Sequence, residues 1–187
     1  MKKIVHVIML ALTILAISTV YAFAETAPQK VVDLANSTLA DIGTDSIIVA
    51  AVKNQNSKSM SLEQIKAKDA EWKDTPGLAD YMEALMKSDC AKRIKTIQAS
   101  APYYAEIFVM DNQGANVAMT DKTSDYWQGD EAKFQKSFAG GSGAVFVDDV
   151  EFDDSSQAYL VQVSVPVKDA AKVIGAITFG IDVDKVE

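Results

Sequence analysis

Five short apolar runs in the C-terminal half of the chain restrict its possible folds more than any other feature. Each run combines alternating apolar residues with many β-branched side chains, which is the pattern of a half-buried strand. The runs are Tyr103–Met110, Ala115–Thr120, Ala144–Phe152, Ala158–Val167 and Val173–Val183. They predict five antiparallel strands, interrupted by a polar and aromatic segment, Ser124–Phe138, which we interpret as a lid.

The two faces of the predicted sheet differ in chemistry. Odd-numbered residues of the last two strands are almost uniformly apolar, so this face requires an apolar cover. These residues are Tyr159, Val161, Val163, Val165, Val167, Val173, Ile177, Phe179 and Ile181. The even-numbered face mixes apolar with polar side chains: Phe108, Met110, Phe146, Gln162, Ser164 and Thr178. Such a mixture favours a small-molecule pocket, because apolar area supplies affinity and polar groups fix orientation.

The segment before the strands has helical periodicity. Apolar residues recur at three- and four-residue steps between Pro28 and Asn56, which predicts one helix of about 40 Å. Since such a helix is longer than the sheet, we expect its N-terminal half to project or to pair with a second copy. Further helices are predicted over 62–72 and 75–101, and all of these helices are expected to cover the odd-numbered face.

The first 24 residues have the features of an export signal. Lys2 and Lys3 precede the apolar run Ile4–Val20, and residues 22–24 (AFA) match a small-x-small cleavage site. We expect cleavage before Glu25 and a periplasmic or secreted location, with a retained membrane anchor as the alternative. Residues 25–187 are then predicted to form one domain, helical over 25–101 and containing the sheet and lid over 102–187.

The charge balance argues against several classes of partner and chemistry. Without residues 1–24 the chain has 16 Lys and Arg against 26 Asp and Glu, and it has no histidine. This acidic balance excludes nucleic acid as an expected partner, because phosphate binding requires clustered cations. The absence of histidine removes the commonest general base and the commonest transition-metal ligand.

No motif in the chain predicts catalysis. There is no Gly-x-Ser-x-Gly elbow and no phosphate loop, and the acidic run Asp148–Asp154 lacks the spacing of a calcium loop, which favours a solvated hairpin. We therefore expect no enzymatic activity, no cofactor and no metal site. The single cysteine, Cys90, lies on a predicted helix among apolar neighbours, which favours burial over an intermolecular disulfide.

The lid contains the first candidate ligand contacts. Tyr126 and Trp127 combine a large aromatic surface with a polar edge and can close over a bound molecule, while Asp130 can supply a charge. The alternatives are that the two rings pin the lid onto its own core and that Asp130 caps the helix that begins at Glu131.

The cations near the lid restrict the charge of a ligand. Arg93, the only arginine, lies on a predicted helix, so a bidentate clamp on a carboxylate is missing from the lid. A neutral or cationic ligand is therefore favoured, unless Lys122 or Lys133 turns inward.

Four segments in order carry a resemblance to a known family. They are residues 107–118 (IFVMDNQGANVA), 126–131 (YWQGDE), 163–167 (VSVPV) and 173–182 (VIGAITFGID). Together with the leading helices they resemble the single Cache family, the PAS-like extracytoplasmic sensors of bacteria. The resemblance implies an α+β fold in which a five-stranded antiparallel sheet carries a long N-terminal helix and further helices on one face. A small-molecule site would lie on the other face, with ligand contacts from Tyr126, Trp127, Asp130, Phe108, Phe146 and Tyr159.

The function that this resemblance implies is a periplasmic small-molecule sensor. Amino-acid-binding relatives place an arginine beside a lid aromatic, whereas here Ser124 and Asp125 precede Tyr126. Relatives also continue into a membrane helix and a signalling module, whereas this sequence stops at Glu187, so we expect it to act through a membrane signalling partner or as a homodimer. The alternative is a helix-mediated periplasmic interaction or structural protein with a vestigial pocket.

Overall fold

The computed structural model describes residues 25–154 and 156–186. Helix α1 consists of three consecutive segments, Gln29–Leu34, Ala35–Leu39 and Ala40–Ile42, of which the middle one is a π-helix. The other helices are α2 (Ser46–Ser57), α3 (Leu62–Asp74), α4 (Asp80–Lys87), α5 (Asp89–Gln98) and α6 (Ala132–Phe138). The strands are β1 (Tyr104–Met110), β2 (Asn116–Met119), β3 (Phe146–Asp153), β4 (Ala158–Asp169) and β5 (Lys172–Asp182).

The five strands form one antiparallel sheet in the order β2-β1-β5-β4-β3. The predicted α+β, PAS-like fold with a five-stranded antiparallel sheet is confirmed. The last strand of the chain lies at the centre of the sheet, so β1 and β4 both pair with β5.

The odd-numbered face, which we name the back face, is covered by α1, α2 and α5. Val161, Val163, Val165, Ile177 and Phe179 of the sheet are fully buried there. They pack against a row of helical side chains that includes Val31, Leu39, Ile48, Val52 and Ile94. Cys90 belongs to the same cluster and is 3% exposed, which confirms its predicted burial.

The prediction of one helix from Pro28 to Asn56 is wrong, because the chain bends at Gly43. A Cβ atom at residue 43 would lie 2.3 Å from the carbonyl oxygen of Pro166, so glycine lets the bend approach β4 closely. The Gly43 carbonyl accepts a hydrogen bond from Lys168 N, and Asp45 Oδ1 caps α2 by accepting from Ile47 N and Ile48 N.

The bend also changes the expected role of the N-terminal half of this segment. Val31, Ala35 and Leu39 are fully buried in the core, so this half packs on the sheet and does not project. The interruption after Ile42 lets both α1 and α2 bury their apolar stripes on one sheet, which a straight 40 Å helix would prevent.

The even-numbered face, or front face, has its own cover, which the sequence prediction assigned to the back. Ile65 and Trp72 of α3 and Met82 of α4 pack with Phe108, Met110 and Met119 of the sheet. The predicted helix over 75–101 is also divided, because the Ser88 hydroxyl caps α5 by accepting from Ala91 N. The helices therefore lie on both faces of the sheet.

Within the described residues, no helix has the length and apolar character needed to cross a bilayer. The predicted leader, 1–24, lies outside the described residues, and the boundary at Glu25 stays a prediction.

The contact at Gly43 predicts that Gly43→Ala destabilises the fold. The added methyl group meets backbone rather than a movable side chain, so overpacking should lower the free energy of unfolding by about 1 to 3 kcal/mol. Urea denaturation measures this loss. Thr44→Ala, at the exposed neighbouring residue, is the control and should change stability by less than about 0.5 kcal/mol. Equal stability of the two variants would contradict the close approach.

Candidate functional site

A polar row crosses the three central strands of the front face. Glu106 on β1 and Gln162 on β4 both pair with Gly180 on β5, which lies between them. A Cβ atom at residue 180 would lie 2.7 Å from Glu106 Cγ, so the glycine leaves the space in which the two polar side chains meet. Gln162 Nε2 donates to Glu106 Oε1 over 2.8 Å.

This row forms part of a cavity of about 390 Å³ between the sheet and the lid. Five carboxylates line it: Glu106, Asp148, Asp149, Glu151 and Asp153. The remaining lining residues are Lys122, Thr123, Ser124, Lys133, Phe152, Leu160 and Gln162. The register of β3 on β4 shifts between Val147 and Val150, so Asp148 and Asp149 lie in a bulge at the cavity wall.

Both lysines that the sequence analysis singled out line this cavity, but other contacts engage their charges. Lys122 Nζ donates to the carbonyl oxygens of Thr75 and Gly77. Lys133 Nζ lies 2.9 Å from Glu131 Oε2 and 5.4 Å from the centre of the Phe108 ring. Carboxylates therefore dominate the lining, which suits a cation better than an anion.

Glu106 is a buried carboxyl group at the centre of the polar row. Burial raises the pKa of Glu106 above its ordinary value of 4.5, and the hydrogen bond from Gln162 and the nearby charge of Lys133 oppose that rise. Gln162 Oε1 is buried and has no hydrogen-bond partner in the described part of the chain. A ligand that brings positive charge and N–H donors would compensate both the buried carboxylate and this unpaired acceptor.

Asp69 of α3 anchors the lid. The side chain of Asp69 is almost fully buried, and its Oδ1 accepts from Tyr126 N at 2.9 Å and Trp127 N at 3.0 Å. Lys73 Nζ bridges Asp69 and Asp125 at 2.8 and 2.6 Å. Burial would raise the pKa of Asp125, but the hydrogen bonds from Lys73 and Ser124 outweigh this effect and hold it below its ordinary value.

The two lid aromatics pack on the protein's own core. Tyr126 is 1% exposed, and its ring centre lies 5.8 Å from that of Trp72. Trp127 is half-buried, its Nε1 donates to the carbonyl oxygen of Gln113 at 2.8 Å, and Lys66 Nζ lies over its ring. These contacts correspond to the alternative in which the rings pin the lid.

The other four sequence-derived candidates are dispersed. Phe108 is buried beneath Lys133, Phe146 lies under Lys136, and Asp130 is exposed. Tyr159 is 53% exposed and makes an edge contact with Phe152. Since Tyr159 precedes Leu160, which lines the cavity, strand alternation puts it on the back face.

None of the six predicted contacts lines the cavity described above. A role of these residues in binding a ligand stays a prediction. The alternative for Asp130 is wrong, because the N-cap residue of α6 is Glu131 and no side chain caps that helix.

The sequence analysis missed Glu106. Its signal is a carboxylate at an even position of β1, in phase with Phe108 and Met110, where a wholly covered face would carry an apolar residue. In the described residues, no group of three or more His, Cys, Asp or Glu side chains could hold a metal ion.

No family model and no curated protein matches the chain. Among solved structures it resembles the sensor domain of the V. cholerae histidine kinase DctB, with 14% identity over 84% of this chain and 52% of that chain and a TM-score of 0.44. It also resembles the sensory domain of the Campylobacter jejuni chemoreceptor Tlp3 with isoleucine bound, with 17% identity, coverage of 85% and 65%, and a TM-score of 0.40. A third structure is the ligand-binding domain of the Pseudomonas aeruginosa amino acid chemoreceptor PctC with GABA, with 11% identity, coverage of 80% and 62%, and a TM-score of 0.38. This chain spans about half to two thirds of the length of those domains.

The anchoring of the lid predicts that Asp69→Ala destabilises the protein. The substitution leaves two amide N–H groups of the lid without their acceptor, which should lower the free energy of unfolding by about 2 to 4 kcal/mol. Thermal and urea denaturation measure the loss. Glu71→Ala, at an exposed residue of the same helix, is the matched control with an expected change below about 0.5 kcal/mol. A loss no larger than that of the control would refute the anchoring role.

Proposed function

We propose that this chain is an extracytoplasmic small-molecule sensor module that binds a cationic ligand, such as an alkyl amine, between the sheet and the lid. The observation that carries the proposal is the Glu106–Gln162 pair, which meets over Gly180 in a cavity walled by carboxylates. The ammonium group would pair with Glu106 and its N–H groups would also reach the Gln162 amide. A location outside the cytoplasm is supported by the leader pattern of residues 1–24.

The size of the cavity supports binding of a small metabolite. Its volume of about 390 Å³ lies in the range of small-molecule pockets, which starts near 300 Å³. Leu160 supplies apolar area beside the charged groups, so the alkyl part of an amine would also lose contact with water.

The charge of the cavity supports a cation over an amino acid carboxylate. Lys122 donates to backbone carbonyls, and Lys133 pairs with Glu131 and also lies near Glu106. Arg93 does not line this cavity and pairs with Asp45, the N-cap residue of α2. A carboxylate ligand would therefore meet five carboxylates and no bidentate cation.

The alternative function, a helix-mediated interaction protein, loses its main support. It assumed that the apolar residues around Val31–Ile42 face water, whereas Val31, Ala35 and Leu39 are fully buried. We therefore assign signalling to a ligand-dependent change that a membrane partner or a second copy would read, and we propose no separate role for a projecting helix.

Titration with 1,4-diaminobutane tests the proposed function. The diamine should bind saturably, and at about 100 times its dissociation constant it should add roughly 2.7 kcal/mol to the free energy of unfolding. Calorimetry and thermal denaturation measure both effects, with 1,4-butanediol and succinate as the neutral and anionic counterparts. Preferential binding of succinate, or no binding by the diamine or any other amine screened, would refute the proposal.

A substitution at the buried carboxyl group assigns the site of binding. Glu106→Gln keeps the size of the side chain but removes the charge, and the loss of a buried ion pair should weaken diamine binding by at least about tenfold. Glu71→Gln, at an exposed position, should leave the affinity unchanged.

The affinity for the diamine should also depend on pH. The cation pairs with ionised Glu106, and the pKa of that group is raised above 4.5, so binding should strengthen as pH increases through this raised pKa. The diamine itself stays protonated throughout this range. Calorimetric titrations at several pH values between about 4 and 8 measure the trend. Glu106→Gln should flatten it, and an equally steep trend in that variant would contradict the assignment.

A further inference from the structure

A second, larger groove lies between α2 and α5, two of the helices that cover the back face of the sheet. This groove has a volume of about 1000 Å³ and is lined by one stripe of each helix. On α2 the stripe includes Ile47, Ala50 and Ala51, spaced at three- and four-residue steps. The sensor cavity described above shares no lining residue with it.

The groove exposes apolar surface that the fold does not cover. Ile47 is 44% exposed although it lies between two packed helices. Cys90 and Val117, both almost fully buried, line it as well. Alanine at 50 and 51 leaves the groove open, because a larger side chain at either residue would fill it.

The polar groups around the groove are mainly cationic. Lys58, Lys92 and Arg93 line it, against one carboxylate, that of Asp89. This is the reverse of the whole chain, which has a formal net charge of −8. Lys92 pairs with Asp89 at 2.7 Å, with both side chains largely exposed, so the pair is weak and can be exchanged for another anion.

The other two cations retain capacity for an anionic partner. Lys58 Nζ donates to the neutral amide oxygen of Gln55 at 2.9 Å, and no described carboxylate lies within 4.0 Å of it. Arg93 Nε contacts Asp45 Oδ2 at 2.8 Å, but a guanidinium has five N–H donors and can serve a second acceptor.

From this combination we infer that the groove between α2 and α5 binds a linear aliphatic carboxylate. The hydrocarbon chain would lie along Ile47, Ala50, Ala51 and Val117, and the carboxylate would contact Lys58, Lys92 or Arg93. This site goes beyond the proposed sensor function, because its ligand is an anion with an apolar tail and it lies apart from the Glu106 cavity.

Calorimetric titration of the protein with decanoate, below the concentration at which decanoate forms micelles, tests the inference. Decanoate should bind saturably with a stoichiometry of one. Decyltrimethylammonium, which carries the same tail and the opposite charge, should bind at least about tenfold more weakly. No saturable heat with decanoate, or equal binding of the two amphiphiles, would overturn the inference.

Five variants locate the site. Ala50→Trp fills the groove from an exposed position of α2 and should abolish decanoate binding, whereas Lys53→Trp, on the same helix outside the groove, should preserve it. Lys58→Gln and Lys92→Gln should each weaken binding about twofold to fivefold, and Lys95→Gln, outside the groove, should not. Circular dichroism and thermal denaturation verify that each variant is folded.

The same variants separate this inference from its rivals. Sedimentation velocity tests the alternative in which a second copy of the chain occupies the groove. If the protein self-associates, Ala50→Trp removes this self-association and decanoate does not bind, the assignment of a carboxylate is overturned. Glu106→Gln should leave decanoate affinity unchanged even if it abolishes diamine binding, so the two sites can fail independently. Equal effects of Ala50→Trp and Lys53→Trp would also overturn the inference.

Discussion

The architecture depends on one strand that is buried on both faces. Ten of the eleven residues of β5 are buried, although an antiparallel sheet can leave one face in water. The chain therefore has to supply two covers, and it divides its helices accordingly: α1, α2 and α5 lie on the back face, and α3, α4 and the lid lie on the front. The bend at Gly43 and the division at Ser88 both serve this arrangement.

The front cover is complete over one half of the sheet and incomplete over the other. Near β2 and β1, Trp72, Tyr126 and Met119 fill the space beneath the lid, and Asp69 holds the lid backbone in place. Over β3, β4 and the start of β1, where Glu106 and Gln162 form the polar row, the sheet is not covered in this way, and the cavity remains. The lid thus acts as a fixed wall of the cavity, and its aromatic side chains stabilise that wall.

The pattern of the sequence predicts the sheet well but carries little information on the front cavity, for different physical reasons. Strand alternation is a local property, so Val161, Val163 and Val165 reveal their buried face directly. Gly43 and the capping Asp45 are local signals for the break between α1 and α2, but the close approach to Pro166, more than a hundred residues away, is not a local property. The pairing of Glu106 with Gln162 likewise arises from the register of two strands on Gly180. The pattern at Tyr126 and Trp127 leaves two interpretations open, because aromatic side chains with polar edges suit a ligand contact and a packed loop equally well.

The position of Gly180 has a mechanical consequence. The residues on either side of it, Phe179 and Ile181, point to the opposite face and pack among the side chains of α1, α2 and α5. A molecule pressing on the floor at Gly180 would therefore push on the backbone that carries these two anchors. Phe179 and Ile181 are the immediate chain neighbours of Gly180. A ligand on the front face that displaces the Gly180 backbone would therefore also move the side chains that contact the back-face helices.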